Sequence, residues 1–328
     1  MMELSDIVSV IASDLEEVEK ELEESIKSTV PLVYEISRYI LGSGGKRLRP
    51  TVLLLASGAC GLTNGKERIR SAVALELIHT ATLLHDDVVD GANLRRGKTA
   101  SNVIWGNKAS ILVGDFMLAR ALGLIHSCGN LELIGVVTDA AAKMAEGQII
   151  EVMSAKNMVE FSERVCFDII HNKTASLIES CGKVGAILAG AGDRVKEALG
   201  QYGLNLGIAF QLIDDALDYS STSEEFGKEV GQDLYEGKVT LPLIYALQKA
   251  SAVEKKRVKE ILLQGDGFRK EEFDFVFNIV EKYRGVERTK LVAKKFSDKG
   301  KEAISGLPQN AFKESLFLLA DYITERKK

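Results

Sequence analysis

Two short stretches carry most of the chemistry this sequence can do. LLHDDVVDGANLRRG, residues 83 to 97, sets Asp86, Asp87 and Asp90 against an apolar run and follows them with Arg95 and Arg96. QLIDDALD, residues 211 to 218, repeats the pattern with Asp214, Asp215 and Asp218. On a helix, positions i and i+4 share a face, so Asp86 and Asp90 make one such pair and Asp214 and Asp218 another. Three carboxylates at a helix C-terminus repel one another and oppose the helix dipole, which favours cations there. They become favourable once they bind something positive. Oxygen-only donors suit Mg²⁺, and Mn²⁺ also fits. Mg²⁺ is usually held by one or two carboxylates with substrate phosphates and water completing the octahedron, which points to a phosphorylated substrate. A solvated acidic helix end explains one such cluster as well as a metal does. Two copies, both flanked by apolar residues, favour the cation. General acid/base work by paired carboxylates is disfavoured, because nothing in the sequence raises one pKa selectively.

Cations accompany the acids. GGKRLRP, residues 44 to 50, places Lys46, Arg47 and Arg49 behind two glycines. Guanidinium forks match phosphate oxygens, and lysine adds a point charge. The loop is not a Walker A motif, since the GxxxxGK[ST] spacing is missing and no strand precedes it. Lys173-Thr174 in HNKTASL, and Lys228 and Lys238 in FGKEVGQDLYEGKVTLP, are weaker signals, because a lone helical lysine is usually solvated. Together the residues suit a substrate with a diphosphate head and a hydrocarbon tail. Bound Mg²⁺ would neutralise a departing diphosphate, and an apolar wall would shield the carbon centre left behind from water.

The elements that must position these groups are helical. The 328 residues are 46% hydrophobic with only 6% aromatics and 4 prolines, and Ala, Leu, Ile, Glu and Lys dominate. Apolar periodicity predicts helices over 3–28, 31–41, from Pro50 to Gly61, and over 67–90, 110–125, 131–153, 160–189, 195–219 and 239–249. Charged helices follow to the end, and no strand is predicted. No linker divides the chain, so a single all-helical domain over 1–328 is expected. A net charge of −5 and a pI of about 5.6 exclude a general affinity for nucleic acid. The four cysteines show no metal-ligand spacing and read as reduced thiols. The acidic N-terminus lacks a basic leader, and no apolar run reaches about 18 residues, so a cytoplasmic protein without a transmembrane segment is expected. Transient membrane contact to release a greasy product is compatible with this, although no basic amphipathic helix announces it.

The order GGKRLRP, LELIHTATLLHDDVVD, NLRRG, LVGDF, Lys173-Thr174, AFQLIDDALDY, GKEVGQDLYEGKVTLP resembles the trans-isoprenyl diphosphate synthase (polyprenyl synthetase) family, near its bacterial long-chain members of the octaprenyl kind. The likeness spans roughly residues 30 to 250. It implies an all-α, isoprenoid-synthase-type helical bundle around a central apolar cavity, usually a homodimer. It also implies head-to-tail condensation, in which an allylic diphosphate ionises, isopentenyl diphosphate attacks the cation and a proton is lost to released pyrophosphate. By motif position the resemblance implies two Mg²⁺ at Asp86, Asp87 and Asp90, and a third at Asp214 with Asp215 and Asp218. It assigns Lys46, Arg49, His79 and Arg96 to isopentenyl diphosphate, and Arg95, Lys173 and Lys228 to the allylic diphosphate. Lys238 serves either pocket, and Thr174 and Gln211 face the carbocation. Without the resemblance His79 would read as a satisfied core histidine. His85 is read as structural.

Product length should depend on what lies below the first acidic cluster. One helical turn is about 5.4 Å, so Thr82, Ala81, Ile78 and then Leu75 lie successively deeper. Bulky aromatics at 81 or 82 close the pocket early in the short-chain enzymes the sequence resembles. Small Ala81 and Thr82 predict a long product near C40, of the quinone side-chain type, with Ile78 or Met144 as the floor. Three rivals are a terpene cyclase, a non-catalytic subunit of a heteromeric synthase and a short-chain C15 or C20 synthase. The second DDxxD and the basic loop oppose the first, the presence of both acidic motifs opposes the second, and product length decides the third.

Overall fold

The computed structural model describes residues 3–157, 162–219, 231–235, 237–263 and 269–326. Its helices, in chain order, are α1 Leu4–Val8, α2 Ala12–Ser25, α3 Pro31–Leu41, α4 Leu48–Ala59, α5 Lys66–Val89, α6 Ser101–Trp105, α7 Asn107–Ser127, α8 Leu131–Asn157 and α9 Glu163–Ile169. These are followed by α10 Ser176–Leu188, α11 Asp193–Asp218, α12 Gln232–Tyr235, α13 Leu241–Lys249, α14 Ala252–Leu262, α15 Lys270–Lys282, α16 Gly285–Ala303 and α17 Ala311–Glu325. The fold is all-α, as the composition predicts. The chain falls into two compact units. The first comprises Met1–Ala141, Leu177–Gly203 and Lys301–Leu319, the second Ala142–Ser176, Leu204–Gly300 and Ala320–Lys328.

In the first unit α5 packs against α7, α4 and α2. Ala72, Val73, Ala74, Leu75, Leu77, Ile78, Ala81 and Leu84 of α5 are buried, and so is nearly every residue of α4. A helix that is apolar all round belongs in a core, and α5 therefore reaches its aspartates only at its C-terminal end. Arg68, 1% exposed, fastens the start of α5. It donates to Asp14 Oδ2 (2.9 Å), to Ser57 Oγ (2.9 Å) and to the Thr63 carbonyl. The N-terminal parts of α10 and α11 in this unit touch at glycines, where a Cβ on Gly182 would lie 2.1 Å from the Leu199 carbonyl oxygen. The second unit holds two apolar clusters. One gathers Leu243, Leu247, Val258, Ile261, Val276 and Ile279, the other Ile208, Leu212, Ile213, Leu241, Ile244 and Ala293.

The structure departs from the sequence reading in four places. The first predicted helix is interrupted by a 3₁₀ turn at Ser9–Ile11. Helix α4 starts two residues before Pro50, which is tolerated because amides in the first turn have no helical partner to lose. The predicted helix over 160–189 contains a π-helical turn, Ile170–Ala175, between α9 and α10. A hairpin also forms where none was predicted. Strand β1, Leu94–Arg95, pairs antiparallel with β2, Lys98–Thr99. Arg96 (φ 52°) and Gly97 (φ 75°) make the turn, and positive φ at both central residues is what a tight hairpin requires. Two-residue strands are too short to show a periodicity. Among the described residues only α7 is long and apolar enough to cross a membrane by length and composition. It buries Val113, Gly114, Met117, Ala121 and Ile125 and packs along α5. All four cysteines are free, and burial pushes the thiols of Cys166 and Cys181 well up.

Candidate active site

The first unit brings its predicted residues to the C-terminal end of α5. Asp87 is fully buried, and its Oδ1 accepts both Nε (2.7 Å) and Nη2 of Arg95. Asp86 and Asp90 are half-buried one turn apart, with the Asp90 amide donating to the Asp86 carbonyl at 2.8 Å. The chain then reverses through Gly91 (φ 63°), and Asn102 clamps the reversal by donating to the Asp87 and Ala92 carbonyls at 3.1 Å each. Two turns before Asp86, His79 is held neutral. Burial lowers its pKa well below 6.5, and the charges of Arg49, Arg96, Arg95 and Arg47 lower it further. A neutral imidazole among guanidinium groups donates or accepts a hydrogen bond without adding charge. Lys46 lies exposed on the loop before α4, and Arg96 is exposed at the hairpin tip.

Of the residues predicted to set product length, Ala81 and Ile78 are 1% exposed, while Thr82 is half-buried and donates to the His79 carbonyl at 2.8 Å. Met144, in the second unit, is buried at 6% exposure.

The second unit assembles the rest. Lys173 and Thr174 lie on the π-helical turn, a distortion frequently found at functional sites. Lys173 Nζ meets Glu151 Oε2 at 2.5 Å. The Thr174 hydroxyl donates to Gln211 Oε1 (3.1 Å), and Gln211 Nε2 donates to Asp215 Oδ1 (2.9 Å). A carboxyl oxygen accepts this bond whether or not the group is ionised, so Asp215 fixes the amide with its NH₂ toward the carboxyl and its oxygen toward Thr174. Gly147 on α8 makes room for this turn. A Cβ there would sit 2.5 Å from the Lys173 amide nitrogen and 2.9 Å from its Cα. Backbone cannot move aside cheaply, so Gly147→Ala is expected to cut kcat at least about tenfold by displacing Lys173 and Thr174, with a stability loss of about 1–3 kcal/mol. Steady-state kinetics beside thermal unfolding check this, and unchanged kcat would contradict it.

Asp214 Oδ1 meets Arg326 Nη2 at 2.5 Å. The same guanidinium donates to the Phe210 carbonyl (3.1 Å) and stacks 4.2 Å from the Phe210 ring centroid. Asp218 Oδ2 accepts the Asp233 amide at 3.2 Å, and the Lys238 amide donates to the Asp233 carbonyl at 2.8 Å. Lys228 lies outside the described residues. Sequence reasoning missed Glu151, Asp233 and Arg326. Asp233 stood in a quoted motif, GQDLYEGK, without a role. Glu151 and Arg326 left no sequence signal, since their partners lie 22 and 112 residues away.

The donor set fits a divalent cation. Carboxylate oxygens are the donors Mg²⁺ takes, one or two at a time, with substrate phosphate and water completing its shell. Asp215, 3% exposed, has its carboxyl raised well above 3.8 by burial first and then by Asp233, with Asp214 and Asp218 adding to the shift. Its native form therefore holds a proton that the unfolded chain releases, and the native state loses stability as pH rises above about 3.8. A bound cation offsets this. Mg²⁺ with pyrophosphate is expected to raise the melting temperature by a few degrees, with an increment that grows from about pH 5 to about pH 8. No rise at either pH would contradict it.

Acid-rich helix ends, one beside a cluster of guanidinium groups and one beside a distorted helical turn, define a helical protein that handles diphosphates through divalent cations. The chain belongs to the polyprenyl synthetase family, whose model matches residues 30–280. It is 38% identical over 326 residues to the octaprenyl diphosphate synthase of Haemophilus influenzae, covering 99% of this chain and 98% of that protein. The crystal structure of a polyprenyl synthase from Caulobacter crescentus, complexed with calcium and isoprenyl diphosphate, matches with a TM-score of 0.94 at 35% identity, over 99% of this chain and 98% of that one. The heptaprenyl diphosphate synthase component 2 of Bacillus subtilis is 34% identical over 319 residues, 97% of this chain and 90% of that protein.

Proposed function

We propose that this protein condenses isopentenyl diphosphate head-to-tail with farnesyl or geranyl diphosphate, releasing pyrophosphate, and repeats the step to an all-trans polyprenyl diphosphate near C40. The observation that carries the reading is the C-terminal end of α5, where buried apolar turns lead to Asp86, Asp87 and the C-cap Asp90 and the Arg95 guanidinium pairs with Asp87. That is an acidic cluster with a cation beside it, at the end of a helix whose earlier turns are apolar.

Lys46, Arg49, His79 and Arg96 bind the diphosphate of the five-carbon unit. Arg95 pairs with Asp87 and offers its remaining N–H groups to the allylic diphosphate, which Lys173 also contacts, with Lys238 as a further cation. Lys173 carries Glu151 as counter-ion until the substrate takes its place. As the allylic carbon–oxygen bond breaks, Gln211 Oε1 and the Thr174 oxygens face the developing positive charge, in the orientation Asp215 imposes. The terminal alkene carbon of isopentenyl diphosphate attacks that centre, leaving positive charge on the branched carbon, and the methylene on the other side of that carbon loses a proton to pyrophosphate as the new double bond forms. Asp86, Asp87 and Asp90 would hold two Mg²⁺ and Asp214 with Asp215 and Asp218 a third, and ions so held would neutralise charge on the leaving diphosphate.

The working assembly we infer is a cytoplasmic homodimer. The likeness to a heptaprenyl synthase component 2 supports a second reading, in which a partner chain of another kind completes the enzyme. The test is to incubate the purified protein with farnesyl diphosphate, labelled isopentenyl diphosphate and Mg²⁺. Solvent-extractable label that disappears with a chelator and returns with added Mg²⁺ is expected. No incorporation with any allylic primer would refute the reading for the chain alone.

A further inference from the structure

Glu76 is a carboxylate where the proposed reaction needs positive charge. It sits on α5 one turn before His79 and is 4% exposed. Its Oε1 accepts Nη1 of Arg47 at 3.1 Å, and its Oε2 is buried with no hydrogen-bond partner. A buried carboxylate with an unspent oxygen is costly, and one beside a diphosphate site should also repel the ligand. Such a group persists where it does something else.

Arg47 shows what that is. It is the N-cap of α4 and lies in the left-handed backbone region, φ 46° and ψ 40°, which L-residues rarely adopt. Its guanidinium makes four contacts within the fold. Nε and Nη2 grip the two carboxylate oxygens of Glu19 at 2.5 and 3.0 Å, Nη1 takes Glu76, and Nη2 also approaches the Leu41 carbonyl at 3.4 Å. The kink therefore has three anchors, on α2, on α5 and at the end of α3. Lys46 precedes it and Arg49 follows on the first turn of α4. The loop also meets the hairpin tip, since a Cβ on Gly45 would lie 3.0 Å from Arg96 Nη1. Displacing the loop would thus disturb three of the cations assigned to one diphosphate. Burial lowers the pKa of the Arg96 guanidinium, and the charge of Glu76 opposes that shift.

We propose that Glu76 and Arg47 are positioning residues for isopentenyl diphosphate: buried Glu76 anchors Arg47, whose left-handed backbone sets the directions of Lys46 and Arg49. The inference rests on the reaction proposed above only for the name of the ligand. Neither residue touches substrate.

Calorimetric titration with isopentenyl diphosphate alone tests it on the wild type, E76Q, R47A, R47G and the double variant E76Q/R47A, beside titration with a non-reactive thiolodiphosphate analogue of farnesyl diphosphate. E76Q and R47A should each weaken isopentenyl diphosphate binding about tenfold, since each breaks a charged hydrogen bond. The double variant should be no weaker than the weaker single one, because both break the same link. R47G should bind better than R47A, because glycine accepts the left-handed backbone that alanine strains. Affinity for the farnesyl analogue should stay within about twofold. Unchanged or tighter binding by E76Q would show that Glu76 only repels, and equal losses for both ligands would show a general structural role. Either overturns the proposal, as does a wild type that binds no isopentenyl diphosphate. A wild type that binds both ligands but turns neither over refutes the reaction and leaves this test readable.

Discussion

Replacing Asp214 with Asn lowers kcat by about 10³-fold while the protein stays folded. The side chain of Asp214 is 40% exposed, so the isosteric amide creates no cavity and buries no new polar group. What is lost is one negative charge, and that charge has two partners in succession. Arg326 occupies it in the structure, through a contact of 2.5 Å and a guanidinium that is 5% exposed and stacked on Phe210. In the proposed reaction Mg²⁺ carrying the diphosphate would compete with Arg326 for the same oxygens. An amide holds neither a hard divalent cation nor a guanidinium well. The deficit should appear in kcat more than in the KM for isopentenyl diphosphate, whose assigned ligands all lie in the first unit. Steady-state kinetics with circular dichroism as a folding control check it. A variant within tenfold of wild type would remove Asp214 from the metal set.

The second large effect is on product length. Ala81→Phe should move the end of the product ladder from near C40 to between C15 and C20, read by mass spectrometry. Ala81 lies five residues, or more than one turn, below Asp86 on α5 and is 1% exposed. A phenyl ring there has no free space and must displace neighbours along the apolar wall, at a cost of about 1–3 kcal/mol. Thr82→Phe is the milder companion, because Thr82 is half-buried and part of its surface is already open. It should shorten the product with less loss of stability. If both variants make the wild-type product, the wall beside α5 does not measure chain length.

The aspartates were legible because their signal is local. Apolar periodicity runs through α5 and α11 and ends in carboxylates, so residue type, helix face and helix end can all be read from a window of eight residues. The strongest geometric features were not local. The π-helical turn under Lys173 and Thr174 reads as ordinary helix, and the glycine that passes close to it, Gly147, lies on a different helix. The hairpin bearing Arg95 and Arg96 depends on positive φ at Arg96, a non-glycine residue. Arg47 looked like one more cation in GGKRLRP, and its ion pairs with Glu19 and Glu76 give it a place the motif does not show. Arg326 belongs to a tail the motifs do not reach, and it meets Asp214 across 112 residues of sequence. A motif shows which groups are present, whereas their counter-ions come from whichever elements the fold places alongside.

The most direct measurement is the mass of the product made by the purified chain alone from farnesyl diphosphate, isopentenyl diphosphate and Mg²⁺. A ladder of five-carbon steps ending near C40 is the predicted result, and it would establish a self-sufficient long-chain synthase. A ladder that stops at C20 would keep the chemistry and contradict the reading of small Ala81 and Thr82 as residues that permit a long product. The absence of any condensation product would contradict the account itself and leave a subunit that needs a different partner.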